Sequence, residues 1–125
     1  MIALLLVGAG GFLGSILRYF MSGWVHRLLG NPWFPYGTLA VNVTGSVVIG
    51  FLAGLADTRS LFTAEARLFF FIGILGGFTT FSSFTLETLS LVRNTQIFGA
   101  VANVASQLIL GLIGVWLGNL AARLI

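Results

Sequence analysis

Four long apolar runs, separated by short polar connections, constrain the fold of this sequence more than any other feature. The runs lie at about 2–28, 36–56, 65–92 and 97–120. A helix needs about 20 apolar residues to cross a bilayer, and each run reaches that length. The sequence therefore predicts an all-α membrane protein of one domain, with four transmembrane helices surrounded by the lipid bilayer.

The composition excludes several classes of protein. Only 7% of the 125 residues are charged, whereas soluble proteins have about 25%. Six arginines are too few and too dispersed to form a nucleic-acid patch, so no nucleic-acid partner is expected. Three acids and one histidine provide neither a nucleophile–base set nor a carboxylate pair, so an enzyme is not expected. Without cysteine, disulfides and thiolate metal sites do not arise.

The third run is interrupted where a membrane helix would be deepest. Residues 68–75 carry no polar side chain, and Gly-Gly-Phe-Thr-Thr-Phe-Ser-Ser-Phe follows at 76–84. Adjacent glycines and threonines are poor helix formers, so we expect a break in the third helix. Backbone that is not helical is tolerated at this depth only inside protein or beside a wet cavity. The interruption therefore predicts an ion or substrate site.

Polar residues in three of the runs follow helical spacing, so that each group shares one helix face. They are Thr38, Asn42 and Ser46 in the second run, Ser83 and Glu87 in the third, and Asn103, Ser106 and Gln107 in the fourth. One interpretation is hydrogen bonding between helices, worth about 0.6 kcal/mol per contact. The other is a hydrophilic track through the bundle. The spacing does not decide between them.

Phe81 and Phe84 lie three residues apart, on one side of the third helix. Phenylalanine in a membrane helix usually contacts lipid or fills space between helices. However, the edge of an aromatic ring is positive, so a ring presented edge-on can also stabilise a small anion. Together with the Asn42 amide and nearby hydroxyls, such edges would bind an anion without a fixed charge that traps it.

Few ionisable residues lie within the runs. Arg18 is the deepest cation; it either extends to the interface or lines an aqueous vestibule where it attracts anions. Glu87 is the one carboxylate in the membrane zone, and its role stays open among ion pairing, neutral hydrogen bonding and transport. His26, near the end of the first run, is expected at the interface and not as a metal ligand.

The arginines are balanced between the two sides of the predicted bundle. With four crossings, one side carries Arg59, Arg67 and Arg123. The other carries Arg27 and Arg93, and also Arg18 if its side chain extends to that interface. An excess of Lys and Arg on the cytoplasmic side normally sets orientation. Because there is no excess here, we expect insertion in both orientations, which permits an antiparallel dimer.

Three segments together resemble the Fluc (CrcB-type) fluoride channels. They are Gly-Gly-Phe-Leu-Gly-Ser-Ile-Leu-Arg-Tyr at 10–19, Gly-Thr-Leu-Ala-Val-Asn at 37–42, and the stretch 73–84. Their order and spacing match the family, and the four-run length covers the whole chain. The resemblance implies a dual-topology antiparallel homodimer in a prokaryotic plasma membrane. It further implies two antiparallel pores that passively export cytoplasmic fluoride.

The resemblance also implies roles for individual residues. Phe81 and Phe84 would present ring edges to fluoride, with Asn42 as a polar anchor beside them. The main-chain carbonyls of Gly76 and Thr79, two from each subunit, would hold a structural sodium ion. The other implied pore or vestibule residues are Thr38, Ser82, Ser83, Ser106 and Arg18.

One position departs from the pattern, and two rival functions stay open. Some family members have a tyrosine one turn before the fourth-helix serine, where this chain has Ala102, so Asn103 or Gln107 is a candidate replacement. A small multidrug-resistance-type exporter would need a carboxylate in the first helix, but Glu87 lies in the third. A scaffold subunit would need no aligned polar track.

Overall fold

The computed structural model describes residues 1–125, and its regular structure is entirely helical. Four helices are long and apolar enough to cross a membrane: α1 (Ile2–Leu28), α2 (Tyr36–Arg59), α3 (Ala64–Arg93) and α4 (Ile97–Leu124). The prediction of an all-α protein with four helices capable of spanning a membrane is thus confirmed. Helices α2 and α4 continue a few residues beyond the ends that the apolar pattern indicates.

Helix α3 is the irregular one. Its successive parts are the α-helical Ala64–Arg67, the π-helical Leu68–Leu75, the short α-helical Gly76–Phe78 and the α-helical Phe81–Arg93. Between the last two parts, Thr79 has ψ 157° and Thr80 has φ −148° and ψ 115°, so the backbone of both is extended. We call these two residues the Thr79–Thr80 step. The sequence of Leu68–Leu75 does not indicate π-helical winding, since the run is uniformly apolar.

Threonine caps begin two of these helical parts. The Thr63 Oγ1 accepts a hydrogen bond from the Ala66 N–H at 3.2 Å, and the Thr80 Oγ1 accepts one from the Ser83 N–H at 3.2 Å. A capping side chain replaces the missing acceptor in the first turn of a helix. Thr80 therefore both ends the extended step and starts the helix that carries Phe81 and Phe84.

Helices α2 and α4 form the most extensive helix pair in the structure, and glycines set their separation. A Cβ atom on Gly50 would overlap the Val115 carbonyl oxygen, and one on Gly118 would overlap the Val47 carbonyl oxygen. The two backbones are therefore in direct contact. Close approach of this kind, through small residues, is how helices associate in lipid.

Helix α1 packs against α3 in the same way, on the other side of the bundle. A Cβ atom on Gly10 would lie 2.8 Å from the Gly73 Cα, and one on Gly77 would lie 2.6 Å from the Gly11 carbonyl oxygen. This contact joins α1 to the π-helical part of α3 and to the short helical part before the Thr79–Thr80 step. The step is thus held against α1 by backbone packing.

The interior of the bundle is small. Only 23 of the 125 residues are buried, and the largest fully buried side chains are Val41 and Asn103. Most large apolar side chains point outward, as expected for a surface that contacts lipid acyl chains or another membrane protein. Polar groups in the interior therefore have few neighbours, and each must find its partner within a narrow space.

We expect Gly118→Ala to destabilise the protein by about 1–3 kcal/mol, because the added methyl group would force apart the backbones of α2 and α4. Unfolding in detergent by denaturant, followed by tryptophan fluorescence, measures the change. Gly8→Ala is the matched control, since a Cβ there meets nothing within 4 Å. Equal stability of the two variants would contradict the close packing of α2 and α4.

Candidate functional site

The Asn42 side chain of α2 holds the Thr79–Thr80 step in place. Its Oδ1 accepts from the Thr80 N–H at 2.8 Å, and its Nδ2 donates to the Thr80 carbonyl oxygen at 3.0 Å. The same Nδ2 donates to Gln107 Oε1 of α4 at 3.0 Å. We call this arrangement the Asn42 clamp. It supplies both backbone groups of Thr80 with partners, which irregular backbone requires inside a membrane.

The Asn42 clamp lies at a cleft of about 390 Å³, which we call the central cleft. Three helices contribute to its walls. Its lining includes Asn42, Gly76, Thr79, Phe81, Phe84 and Gln107. The structure therefore brings together the two predicted ring-edge residues, the predicted polar anchor and both predicted sodium ligands.

Phe81 and Phe84 contact each other edge to face in the central cleft. Their ring centroids are 5.5 Å apart and their planes meet at 66°. Phe84 is 8% exposed and is fixed by its neighbours, whereas Phe81 is 76% exposed and projects out of the single chain. Phe84 is thus part of the wall, and Phe81 is available to a second protein surface.

The Thr79–Thr80 step releases two carbonyl oxygens from helical hydrogen bonding. The Thr80 N–H, which a continuous helix would direct to the Gly76 carbonyl, donates to Asn42 instead. The Ser83 N–H, which would serve the Thr79 carbonyl, donates to the Thr80 hydroxyl. Free carbonyl oxygens at an unwound helix are suitable ligands for a sodium ion. The residues present therefore fit the predicted cation site.

One contact bears on this site from the side of α1. Arg18 Nη1 lies 3.4 Å from the Thr79 carbonyl oxygen, a long hydrogen bond. A guanidinium and a sodium ion would repel each other if both were bound at the same oxygen. The Gly76 carbonyl has no such competitor, so it is the more accessible of the two proposed ligands.

The same step leaves backbone donors free at the start of the Phe81–Arg93 helix. Thr80 is the N-cap of this helix, so the first N–H groups after it, those of Phe81 and Ser82, have no helical carbonyl partner. A helix N-terminus carries a partial positive charge and unpaired N–H groups, and it favours anions. The central cleft therefore has carbonyl oxygens on one side of the step and a helix N-terminus on the other.

A second cleft of about 390 Å³, the vestibule cleft, lies between α1, α2 and α3. Its polar lining includes Arg18, His26, Thr38, Thr80, Ser83 and Glu87. The Thr38 hydroxyl donates to Glu87 Oε1 at 2.6 Å, while Glu87 Oε2 is buried without a partner. Thr80 lines both clefts, so it marks the point where the vestibule cleft meets the central cleft.

A third cleft of about 320 Å³, the portal cleft, continues beyond the vestibule cleft. It lies between the loop residues 32–35 and the C-terminal part of α3, and Ser90 and Asn94 contribute polar groups. His26 and Glu87 line both the vestibule cleft and the portal cleft. The three clefts thus follow one another along the bundle.

Two predicted pore residues lie outside these clefts. Ser82 is exposed, with its hydroxyl 3.5 Å from the Thr80 hydroxyl. The Ser106 hydroxyl donates to the Asn103 carbonyl oxygen at 3.1 Å, within α4. The roles implied for these two serines stay predictions.

The sequence left two interpretations of the polar residues of α4 open, hydrogen bonding between helices and a hydrophilic track, and individual residues differ in which one they fit. Asn103 is fully buried, and its Nδ2 donates to the Thr88 hydroxyl of α3 at 2.9 Å, a hydrogen bond between helices. Gln107 instead reaches the Asn42 clamp and lines the central cleft. The sequence placed Gln107 on the polar face of the fourth run and named it as a candidate replacement for a missing tyrosine, but it did not reveal the contact with Asn42, because that partner lies 65 residues earlier in the chain.

Comparison with known proteins identifies a family for the whole chain. Residues 5–119 match the family described as CrcB-like protein, Camphor Resistance (CrcB). A protein of Rhodospirillum rubrum named fluoride-specific ion channel FluC is 49% identical over 123 residues, covering 97% of this chain and 95% of its own. A protein of the same name from Opitutus terrae is 49% identical over 94% of this chain and 90% of its own.

A more distant relative comes from Methanosarcina acetivorans and is named fluoride-specific ion channel FluC 1. It is 38% identical over 98% of this chain and 92% of its own. The similarity in each case extends over nearly the full length of both proteins and includes all four helices. The chain is a member of the CrcB-like family.

Proposed function

We infer that this protein is a fluoride-specific ion channel that lets fluoride leave the cell passively and thereby protects it, and that it is not an enzyme. Relatives that match almost its whole length bear the name of that activity. The observation that carries the inference is the central cleft. There the ring edges of Phe81 and Phe84 lie with the Asn42 amide and the N-terminus of a helix.

The chemistry of the central cleft suits a small anion. The cleft contains donors and positive ring edges but no arginine, lysine or histidine. Several weak donors can replace the hydration shell of an ion, and without a fixed opposite charge the ion is released again. A channel needs this balance, because tight binding would stop conduction.

We propose that fluoride approaches through the vestibule cleft. Arg18 raises the local concentration of anions there, and its guanidinium is within reach of the Thr79–Thr80 step. Thr80, shared by the two clefts, would pass the ion to Phe81 and Phe84. Thr38 and Ser83 add hydroxyl groups to the vestibule wall. Ser106 and Ser82 would act beyond the central cleft, where a second subunit completes the route.

We further propose an antiparallel homodimer of dual topology with two pores in a prokaryotic plasma membrane. The projecting Phe81 ring would complete the pore of the partner, and this explains its exposure in the single chain. The balanced arginines remove the usual bias in orientation. The Thr79–Thr80 step is proposed to act as the helix break at the centre of the interface.

A structural sodium ion is proposed at that centre, with the carbonyl oxygens of Gly76 and Thr79 from both subunits as ligands. The support is the loss of the helical donor at each of these oxygens. Such an ion would link the two subunits through their main-chain oxygens. It would also compensate the negative ends of the two interrupted helices.

A proton-coupled exporter of the small multidrug-resistance type is the weaker alternative. It requires an intramembrane carboxylate that exchanges protons with a substrate. Glu87 accepts a hydrogen bond from Thr38 in the vestibule cleft and belongs to α3, whereas that family carries its carboxylate in the first helix. The near-full-length relatives bear a channel name.

In liposomes loaded with fluoride or chloride, we expect the purified protein to release fluoride far faster than chloride, measured with ion-selective electrodes. Phe81→Ile and Phe84→Ile should each slow fluoride efflux by about tenfold or more, because losing about 1.4 kcal/mol of ion stabilisation corresponds to tenfold.

Phe98→Ile is the matched control for these two variants, since Phe98 is 86% exposed at the start of α4 and lies outside the clefts. Normal conduction by both Phe81→Ile and Phe84→Ile would refute the ring-edge mechanism. No fluoride release by correctly assembled wild-type protein would refute the channel itself.

Asn42→Leu should destabilise the protein by about 1–3 kcal/mol and reduce fluoride efflux, because it leaves the buried N–H and carbonyl of Thr80 without partners. Asn42→Asp retains the acceptor and should be intermediate in stability. Thr58→Ala, which removes a hydroxyl-to-backbone bond elsewhere in α2, is the control. Denaturant unfolding in detergent, paired with liposome efflux, distinguishes these variants. Full efflux from Asn42→Leu would show that the clamp is dispensable.

Replacing sodium with N-methyl-D-glucamine should weaken the proposed dimer. Gly76 and Thr79 would then lose the cation that holds four main-chain oxygens together. Subunit exchange between fluorescently labelled proteins in detergent measures this, and we expect faster exchange without sodium. Potassium is the control for monovalent salt in general. Identical exchange rates in all three cations would remove sodium from the proposal.

A further inference from the structure

Helices α2 and α4 form a polar wall of the central cleft in which contacts repeat once per helical turn. Asn42 contacts Gln107 through the hydrogen bond between Nδ2 and Oε1. One turn further along both helices, Ser46 lies beside Gly111, where a Cβ atom would be 3.6 Å from the serine oxygen. Asn42, Ser46 and Gln107 all line the central cleft. The wall therefore presents two successive rows of polar groups.

A series of hydrogen bonds fixes the orientation of the Gln107 amide. The Thr80 N–H can only donate, so its partner in Asn42 is Oδ1, and Asn42 Nδ2 is left to face Gln107. Because Nδ2 can only donate, the Gln107 atom in front of it is the acceptor Oε1. The Gln107 Nε2 is thus directed away from Asn42. It is buried and makes no hydrogen bond within the protein.

This unpartnered Nε2 indicates a ligand that accepts hydrogen bonds. Buried polar atoms nearly always have a partner, which is water or an ion where the protein supplies none. An amide nitrogen carries two N–H donors and no acceptor, so the species that satisfies it is an anion or a water oxygen. Gln107 lines the same cleft as the Phe81 and Phe84 rings, where an anion is proposed to pass.

The Ser46 hydroxyl is a second donor in this wall, and it can change partners at little cost. It donates to the Asn42 carbonyl oxygen at 2.8 Å. That carbonyl also accepts the Ser46 N–H as part of α2, so it keeps a partner when the hydroxyl turns away. Hydrogen bonds to an ionised group are about twice as strong as those between neutral groups. An anion in the cleft would therefore draw the hydroxyl to itself.

We propose that Ser46 and Gln107 bind fluoride in the central cleft, as the donors from α2 and α4 that complement the ring edges of α3. The inference rests on the proposed fluoride conduction. Fluoride is the smallest halide and the strongest hydrogen-bond acceptor among them, so it gains most from a hydroxyl and an amide at contact distance. Neither donor carries a charge, so the ion is bound without being trapped.

In the central cleft, the hydroxyl group comes from Ser46 and not from Ser106. The Ser106 hydroxyl donates to a carbonyl within α4 and lies outside this cleft. Ser46 instead extends from α2 toward the space that Gly111 leaves open on α4. A glycine at position 111 thus gives an ion access to the hydroxyl of the facing helix.

The first test is fluoride efflux from liposomes for Ser46→Ala and Gln107→Met, which remove the hydroxyl and the amide donor respectively. Efflux should fall by about two- to tenfold in each, the factor that corresponds to one hydrogen bond of ordinary net strength. Ser46→Ala should be no less stable than the wild type to denaturant in detergent, because a serine bonded to the carbonyl four residues earlier does not stabilise a helix. Thr58→Ala removes the same kind of bond from α2 outside the clefts and should conduct normally.

A second pair of variants separates the hydroxyl group from its volume. In the Ser46→Ala protein, Gly111→Ser places a hydroxyl in the same space from α4 and should recover most of the lost efflux. Gly111→Ala adds only a methyl group there and should recover none of it. Equal recovery by these two changes would overturn the proposal, as would wild-type efflux from both Ser46→Ala and Gln107→Met. No fluoride efflux from correctly assembled wild-type protein would instead refute the proposed function itself.

Discussion

The hydrogen bonds between Asn42 and Thr80 are the interaction on which the site depends. A membrane helix cannot leave its backbone groups unpaired in a nonpolar interior, so an extended pair of residues in α3 needs partners from elsewhere. One amide side chain supplies both a donor and an acceptor to Thr80. Because these bonds replace helical ones, they free the Gly76 carbonyl and allow a new helix to begin at Phe81.

The two sides of the Thr79–Thr80 step have opposite electrostatic properties, because hydrogen bonds to Asn42 replace helical hydrogen bonds there. The part of α3 before the step ends in free carbonyl oxygens, which attract cations. The part after the step begins with free N–H groups, which attract anions. One local irregularity can therefore serve both a proposed sodium ion and a proposed fluoride path, without any charged side chain in the lining of the central cleft.

Glycine packing explains why the irregular segment has a defined position. The backbone of α1 contacts α3 at Gly10 and Gly73, and α2 contacts α4 at Gly50 and Gly118. In lipid the hydrophobic effect does not drive helices together, so close backbone contact must do so. These contacts bring Asn42 of α2 and Gln107 of α4 to the same point of α3. The Asn42 clamp thus joins three helices at the level of the central cleft.

The sequence by itself determined the helical class and the four helices long enough to cross a membrane, because apolar length acts locally. It also located the glycine–threonine segment in the third helix. The resemblance to a family added the proposed roles of Phe81, Phe84 and Asn42. Only the tertiary structure decided which polar residues face a cleft, because that depends on contacts between residues far apart in the chain. It placed Gln107 in the central cleft, left Ser106 bonded within α4, and set His26 opposite Glu87. Helical spacing predicts which face of its helix a residue lies on. Its hydrogen-bond partner depends on how that helix is rotated against its neighbours.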